Sequence, residues 1–212
     1  VYLLTNTVSG SGGIRQIGPT HLQITALGAL GAGNTFSGGT VISNATLELV
    51  ASATSPTESG YFNANERGLG TGPVSFWGNA TLLLASHNGG EIANGNAQGA
   101  GLFPNAVSVP TGQSGRIELF GRGTMSGAVS GAGTLELSVM HVRADVTSGF
   151  TNFTGQINVT PNTNAMTVVG GIIPIAAFDF RTANNAGYPN ARLHLAANGL
   201  SGVSMYSRAA AN

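Results

Sequence analysis

One short strand pattern recurs along the whole chain and constrains its fold more than any other feature. In this pattern two apolar residues flank one residue of any kind, and its seven copies lie at 22–24, 47–49, 82–84, 117–119, 135–137, 157–159 and 193–195. NATLELV at 44–50 and NATLLLA at 79–85 even begin with the same four residues. Side chains alternate between the two faces of a strand, so each copy has an apolar face that it cannot bury alone. Stacking one copy on the next buries that face, and the recurrence therefore predicts a solenoid.

The competing fold is a β-sandwich or jelly roll, which is also built from short strands with frequent turns. Further short strands are predicted at 41–42, 74–77 and 107–109, and Gly and Asn separate most of the strands. No Asn-Gly turn connects two long alternating strands, as the hairpins of a sandwich would require. The sequence therefore predicts an all-β fold, a parallel β-helix that forms a single domain over residues 1–212, which is a common length for one all-β domain.

The composition of the chain limits its partners. Charged residues make up 8% of the chain and the formal net charge is zero, so nucleic acid is not an expected partner. The longest apolar run, 168–178, is interrupted by Gly and Pro and is too short for membrane insertion. The absence of Cys removes disulfides, thiolate zinc sites and cysteine nucleophiles. The chain begins directly in an apolar segment, so we expect covalently linked neighbouring domains in a longer, extracellular or cell-surface bacterial protein.

A longer motif surrounds the first NATL. In NTFSGGTVISNATLELV at 34–50 the matching positions are Asn34, Phe36, Ser37, Gly38, Gly39, Thr40, Thr46, Leu47 and Leu49. This stretch resembles the autotransporter-associated β-strand repeat, also called the passenger-associated transport repeat. LGTGPVSFWGNATLLL at 69–84 resembles the companion half of that repeat, and 129–137 and 153–159 are shorter echoes. The resemblance implies a right-handed parallel β-helix. Residues 160–212 match poorly, so we expect a divergent C-terminal part or cap there.

The middle residues of the seven units are the first candidates for chemistry. In register they would form one column on an outer face: Gln23, Glu48, Leu83, Glu118, Glu136, Asn158 and His194. Glu118 and Glu136 would then lie on successive coils about 5 Å apart, the separation that a retaining glycosidase needs. A Glu between two apolar residues is more often a simple solvent-facing residue, and no basic residue is evident beside the pair. The sequence therefore predicts no catalytic residue.

No cofactor or metal site is predicted either. None of the four histidines has a partner at the spacing of metal ligands, and no Asp-rich calcium repeat is present. Whether calcium is bound stays open at this point.

Aromatic residues and long connections are the second set of candidates. Extra length lies in 51–72, 86–106 and 178–190, and connections on a rigid scaffold commonly carry binding sites. Alternation in 74–77 places Trp77, the only tryptophan, outside as a platform for a sugar ring, unless it packs under a neighbouring loop. The predicted carbohydrate-binding residues are Trp77, Tyr61, Phe62, Glu66, Arg67, His87, Asn88, Glu91, Asp179, Arg181 and Tyr188.

Three classes of function remain open. The first is a non-catalytic carbohydrate-binding module of a larger secreted enzyme, with a plant cell-wall polysaccharide such as xylan or β-glucan as its partner. By fold and composition the chain loosely resembles the β-helical binding modules of plant-cell-wall glycoside hydrolases. The second is a passenger stalk or adhesin segment of an autotransporter-like surface protein. The third is a β-helical polysaccharide lyase or hydrolase that uses Glu118 and Glu136. We expect the first, a protein that is not an enzyme.

Overall fold

The computed structural model of the chain describes eleven segments. These are residues 1–25, 33–50, 68–84, 102–119, 124–139, 144–161, 167–168, 171–172, 176–180, 190–195 and 203–207. Within them the chain forms β-strands, turns and irregular connections, and no helix. None of these segments therefore holds a helix that could span a membrane. The described part of the protein is all-β.

The recurring apolar units form one parallel sheet of eight strands. In spatial order its strands are β1 (Tyr2–Leu4), β3 (His21–Thr25), β5 (Thr46–Val50), β7 (Asn79–Leu83), β10 (Ser114–Leu119), β13 (Thr134–Val139), β16 (Gln156–Pro161) and β20 (Arg192–Leu195). Every neighbouring pair in this order runs parallel. Six of the seven predicted units fall wholly on these strands, and the unit at 82–84 extends one residue beyond β7. Only β1 lacks a unit, so the predicted stacking of the units is confirmed.

A second parallel sheet has six strands. Its order is β15 (Asn152–Phe153), β12 (Val129–Gly131), β9 (Val107–Val109), β6 (Val74–Trp77), β4 (Thr40–Ser43) and β2 (Ile14–Ile17). The strands predicted at 41–42, 74–77 and 107–109 are β4, β6 and β9. Each strand of this sheet precedes a strand of the eight-stranded sheet in the chain, so the two sheets share one set of corners.

The remaining strands form a third parallel sheet and one small antiparallel pair. The five-stranded sheet has the order β21 (Val203–Ser207), β19 (Ala176–Phe180), β14 (Ala144–Val146), β11 (Thr124–Met125) and β8 (Leu102–Phe103). In the described segments, β17 (Thr167–Val168) and β18 (Gly171–Ile172) are the one antiparallel pair. From β6 to β14 the chain visits the six-, eight- and five-stranded sheets in turn, three times over. This order fits a β-helix or solenoid and does not fit the hairpins of a sandwich.

Stacked apolar side chains form the core. One column of the eight-stranded sheet contains Leu47, Leu82, Ile117, Leu137 and Val159 at neighbouring register positions. All five side chains are fully buried, and so are five phenylalanines from the other parts of the described chain. Burying one such side chain contributes about 1.5–3 kcal/mol, so each column stabilises its sheet along the whole stack.

The apolar units do not all stack in the same register. Leu135, the first apolar residue of its unit, lies opposite Gly115, and Leu137 lies opposite Ile117. Glycine at this position of β10 has a steric reason, because an added Cβ at Gly115 would lie 2.5 Å from Cγ of Phe76. The fully buried Phe76 ring fills the space that a larger side chain at Gly115 would need. The units shift by two residues between β10 and β13.

The two NATL copies enter their strands differently. Asn44 has a φ of 51°, in the left-handed region, and makes the corner before β5. At the second copy Gly78 takes this conformation with a φ of 66°, and Asn79 is already part of β7. The backbone N–H of Asn79 donates to Oδ1 of Asn44 at 3.1 Å, which joins the two corners. Asn therefore makes the corner in the first copy, and Gly makes it in the second.

The poorly matching C-terminal part still contributes parallel strands. β20 pairs with β16 and extends the eight-stranded sheet, while β21 pairs with β19 and extends the five-stranded sheet. Leu193 and Leu195 of β20 are exposed, as expected for the last strand of a sheet. Departure from the repeat pattern after residue 160 thus does not end the parallel pairing.

Candidate functional site

One row of side chains crosses the outer face of the eight-stranded sheet. Its members hold neighbouring register positions, and we call it the outer row: Thr81, Arg116, Glu136, Asn158 and His194. Neighbouring strands are about 4.8 Å apart, so the row presents one side chain per strand at that interval. The predicted column of unit-middle residues is wrong from Glu136 onward, because the shift at Gly115 moves these residues into a different row.

Arg116 links the two glutamates that were predicted to lie opposite each other. The register places Glu136 opposite Arg116 and Glu118 opposite Ser138. Nη2 of Arg116 lies 3.2 Å from Oε2 of Glu118, and Nη1 donates to Oε1 of Glu136. The expectation that no basic residue lies beside the pair is therefore wrong. Arg116 escaped notice because it lies just before its apolar unit, outside the column that the sequence predicted.

The rest of this cluster holds the carboxylates in place. Oγ1 of Thr160 donates to Oε1 of Glu136 at 2.6 Å, from the neighbouring strand β16. Glu118 is only 7% exposed, so it is not the solvent-facing residue that its position in the sequence suggested. A planar guanidinium between two carboxylates is a directional, charge-assisted arrangement that fixes all three side chains.

A groove of about 360 Å³ lies on this face. Among the described residues it is lined by Asn79, Ala80, Thr81, Ser114, Gly115, Arg116, Thr134, Glu136 and Asn158. The lining side chains supply three hydroxyls, two amides and one Arg–Glu pair. Nε2 of Gln156 donates to Oδ1 of Asn158 at 2.6 Å and thereby orients that amide. The groove can donate to and accept from a ligand rich in hydroxyl groups.

Trp77 lies at the corner next to this groove. Val74 and Phe76 are fully buried while Trp77 is 45% exposed, so the predicted outward direction is confirmed. Asn79, which lines the groove, follows two residues later, and two residues span at most about 7 Å. Across the six-stranded sheet, Ser43 and then Ile17 hold the neighbouring register positions. The backbone of Trp77 therefore lies within about 7 Å of a groove residue, while the partly exposed indole itself does not line the groove.

Most other predicted binding residues lie outside the described segments. These are Tyr61, Phe62, Glu66, Arg67, His87, Asn88, Glu91, Arg181 and Tyr188. Asp179 lies in β19, where the backbone is described and the side chain is not. None of the eleven predicted residues lines the groove, and Trp77 is the one whose described position is near it in the chain. Of the lining residues, only Glu136 and Asn158 were candidates from the sequence, and the others were missed. A polar residue two positions before each unit's middle residue was the available signal, as Arg116 is before Glu118.

A second polar cluster occupies the same sheet nearer its β1 edge. Nε2 of His21 and Nε2 of Gln23 both lie 2.8 Å from Oε2 of Glu48. The cluster joins β3 to β5 and does not line the groove. Within the described segments, no group of three or more His, Asp or Glu side chains is placed to hold a metal ion.

No protein-family model matches the chain, and no curated protein or solved structure is significantly similar to it. The resemblance to the autotransporter-associated repeat therefore rests on the residues quoted above and stays a prediction.

Proposed function

We propose that the chain is a right-handed parallel β-helix whose outer surface binds a polysaccharide without cleaving it. Parallel strands that share one sheet are joined by right-handed crossovers in nearly all proteins, which supports the handedness. In this proposal the chain is a binding module of a larger protein that acts outside the cell or at its surface, with a plant cell-wall polysaccharide as the partner.

The observation that carries the proposal is the polar groove, whose edge residue Asn79 follows an exposed tryptophan by two positions in the chain. The hydroxyls of Thr81, Ser114 and Thr134 and the amide of Asn158 suit the hydroxyl groups of a sugar. The flat face of Trp77 suits the C–H face of a sugar ring, because an indole combines a large apolar surface with one polar edge. Groups of these two kinds next to each other are typical of sites that bind a sugar by its ring and its hydroxyls together.

The Arg116 cluster favours binding over hydrolysis. In a glycosidase two carboxyl groups flank the bond that is cleaved, so the space between them must admit the substrate. Here the guanidinium of Arg116 occupies the space between Glu118 and Glu136 and contacts both. An enzyme that used these two residues would first have to move Arg116 away.

A passenger stalk is the second candidate, and the six-stranded sheet favours it. From β4 to β15 one row of outer positions in that sheet is uncharged: Val41, Ser75, Ser108, Ser130 and Asn152. A row of small, uncharged side chains suits a structural stem, although the same face also carries the exposed Trp77. A stalk would have no affinity for saccharides, and this difference separates the two candidates.

Affinity electrophoresis tests the proposal directly. Gels that contain xylan, β-glucan, mannan or pectin should retard the protein in at least one case. Trp77→Ala should weaken that retardation about tenfold, an effect of ~1.4 kcal/mol. Leu3→Ala is the matched control, because Leu3 is another exposed apolar side chain, on the edge strand β1, away from the groove.

The outcomes separate the candidates. Retardation in none of the four gels contradicts the binding function and favours the stalk. Retardation that Trp77→Ala leaves unchanged contradicts the role of the indole. Release of reducing sugar by the wild-type protein, abolished in Glu136→Gln, contradicts the non-catalytic assignment.

A further inference from the structure

We propose that the groove selects uncharged polysaccharide chains and rejects chains that carry carboxylates. This inference rests on the proposed function and adds the chemical class of the ligand. It follows from the ion pairs made by Arg116, the one basic side chain that lines the groove in the described segments.

The first step is the balance of charge at the groove. One guanidinium contacts the two carboxylates of Glu118 and Glu136, so the cluster carries one positive and two negative charges. The other lining residues in the described segments are uncharged. A carboxylate on a sugar would therefore be repelled by a site with a net negative charge. An arginine without carboxylate partners would instead attract that carboxylate.

The second step is that Arg116 is not easily released. Its side chain is 25% exposed and that of Glu118 is 8% exposed, so their ion pair is only weakly screened by solvent and salt. Glu136 is held in turn by the hydroxyl of Thr160. An acidic sugar that displaced Glu118 would leave a poorly solvated carboxylate without its partner, which is strongly unfavourable.

The third step is that the groove suits an extended neutral chain. Thr81, Arg116, Glu136 and Asn158 follow one another across four strands at intervals of about 4.8 Å. A polymer that lies across the strands meets one polar side chain of this row after another. Hydroxyl groups can donate to the free lone pairs of the glutamate and accept from the amide without breaking the ion pairs.

The test compares pairs of polymers that share a backbone and differ mainly in the charge of their substituents. Hydroxyethyl and carboxymethyl derivatives of cellulose, xylan and mannan give pairs with the same backbone and similar substituents. Affinity electrophoresis at low ionic strength should give at least about fivefold weaker binding to the carboxymethyl member. Two like charges about 4 Å apart in water repel by about 1 kcal/mol, which corresponds to about that factor in affinity. The difference should shrink as salt is added, because exposed charges are screened.

Two variants link the selectivity to the cluster. Glu136→Gln removes one negative charge and keeps an oxygen that can accept from Thr160. The affinities of this variant for the two polymers should therefore agree to within about twofold. Glu118→Gln is the second variant and should act in the same direction, with folding of both checked by circular dichroism. Glu48→Gln is the control, because Glu48 lies on the same face but does not line the groove, and it should keep the wild-type ratio.

The possible results are distinct. Equal or stronger binding of the carboxymethyl polymer by the wild-type protein overturns the inference about charge and leaves the binding function intact. A wild-type ratio that survives both Glu136→Gln and Glu118→Gln also overturns it. Binding of no underivatised or derivatised polymer contradicts the proposed function itself.

Discussion

Identical residues in this chain adopt different conformations at equivalent places, as the two copies of NATL show. Asn44 adopts a left-handed conformation, which Asn tolerates better than most residues, and its side chain accepts from the backbone of the next coil. Asn79 occupies the same place in the motif but lies in a strand and is exposed. The extra Gly78 takes the left-handed position there. The motif is therefore a corner in one copy and the start of a strand in the other.

Substitutions at the two asparagines should differ in their effect on the free energy of unfolding. Asn44→Ala loses both the tolerated left-handed conformation and the acceptor, and should cost about 2 kcal/mol. Asn44→Gly keeps the conformation and should cost about half as much. Asn79→Ala, at an exposed strand position, should change stability by less than ~0.5 kcal/mol. Urea denaturation measures all three, and an Asn79→Ala cost equal to that of Asn44→Ala would show the corner assignment to be wrong.

At the scale of the strand, sequence predicts position better than register. The apolar-x-apolar units identify seven strands of one sheet because alternation is a local property. β10 and β13, however, are six residues long and each have three inward positions, and a two-residue apolar unit does not say which two it fills. The unit of β13 begins at the first inward position, which in β10 is occupied by Gly115 because Phe76 of another sheet fills the space there. Glu118 and Glu136 were therefore paired wrongly, and Arg116 was missed.

The packing of Gly115 against Phe76 should be measurable as coupling between two substitutions. Gly115→Ala should destabilise the protein by about 1–3 kcal/mol, because the new methyl group overlaps the buried ring. Combined with Phe76→Ala, which removes the Cγ and Cδ2 atoms that would overlap the new methyl group, Gly115→Ala should cost clearly less than it does alone. Gly149→Ala is the control, since nothing lies within 4 Å of an added Cβ there. Strictly additive costs in the double variant, measured by urea denaturation, would contradict the close packing of Gly115 against Phe76.

At the scale of the whole molecule, the columns of buried side chains connect neighbouring strands from β3 to β16. A residue in the middle of the stack has apolar neighbours on both sides, whereas a residue of the last strand has them on one side only. The seven recurring apolar units in the sequence supply most of the side chains of these columns, which is why the sheet could be predicted. The groove could not be predicted in the same way, because its lining combines side chains from four strands whose register had to be known first.

The loss of stability on truncating an inward-facing side chain should therefore depend on the position of its strand in the stack. Leu82 is fully buried between Leu47 and Ile117, and Leu82→Ala should cost about 2–5 kcal/mol. Leu195 is 47% exposed on the last strand, and Leu195→Ala should cost less than ~1 kcal/mol. The midpoints of urea denaturation give the comparison. Equal costs for the two variants would contradict the stacking of these strands.

The central claim is that the groove on the outer face of the eight-stranded sheet binds a neutral saccharide chain. Titration of the ¹⁵N-labelled protein with xylohexaose and with cellohexaose, followed by amide chemical shifts, tests it most directly. At least one hexasaccharide should shift the amides of Thr81, Arg116, Glu136 and Asn158 and the indole N–H of Trp77. Amides around the cluster of His21, Gln23 and Glu48 should stay unchanged. Saturating ligand that shifts no groove residue, or that shifts only residues elsewhere, would contradict the account.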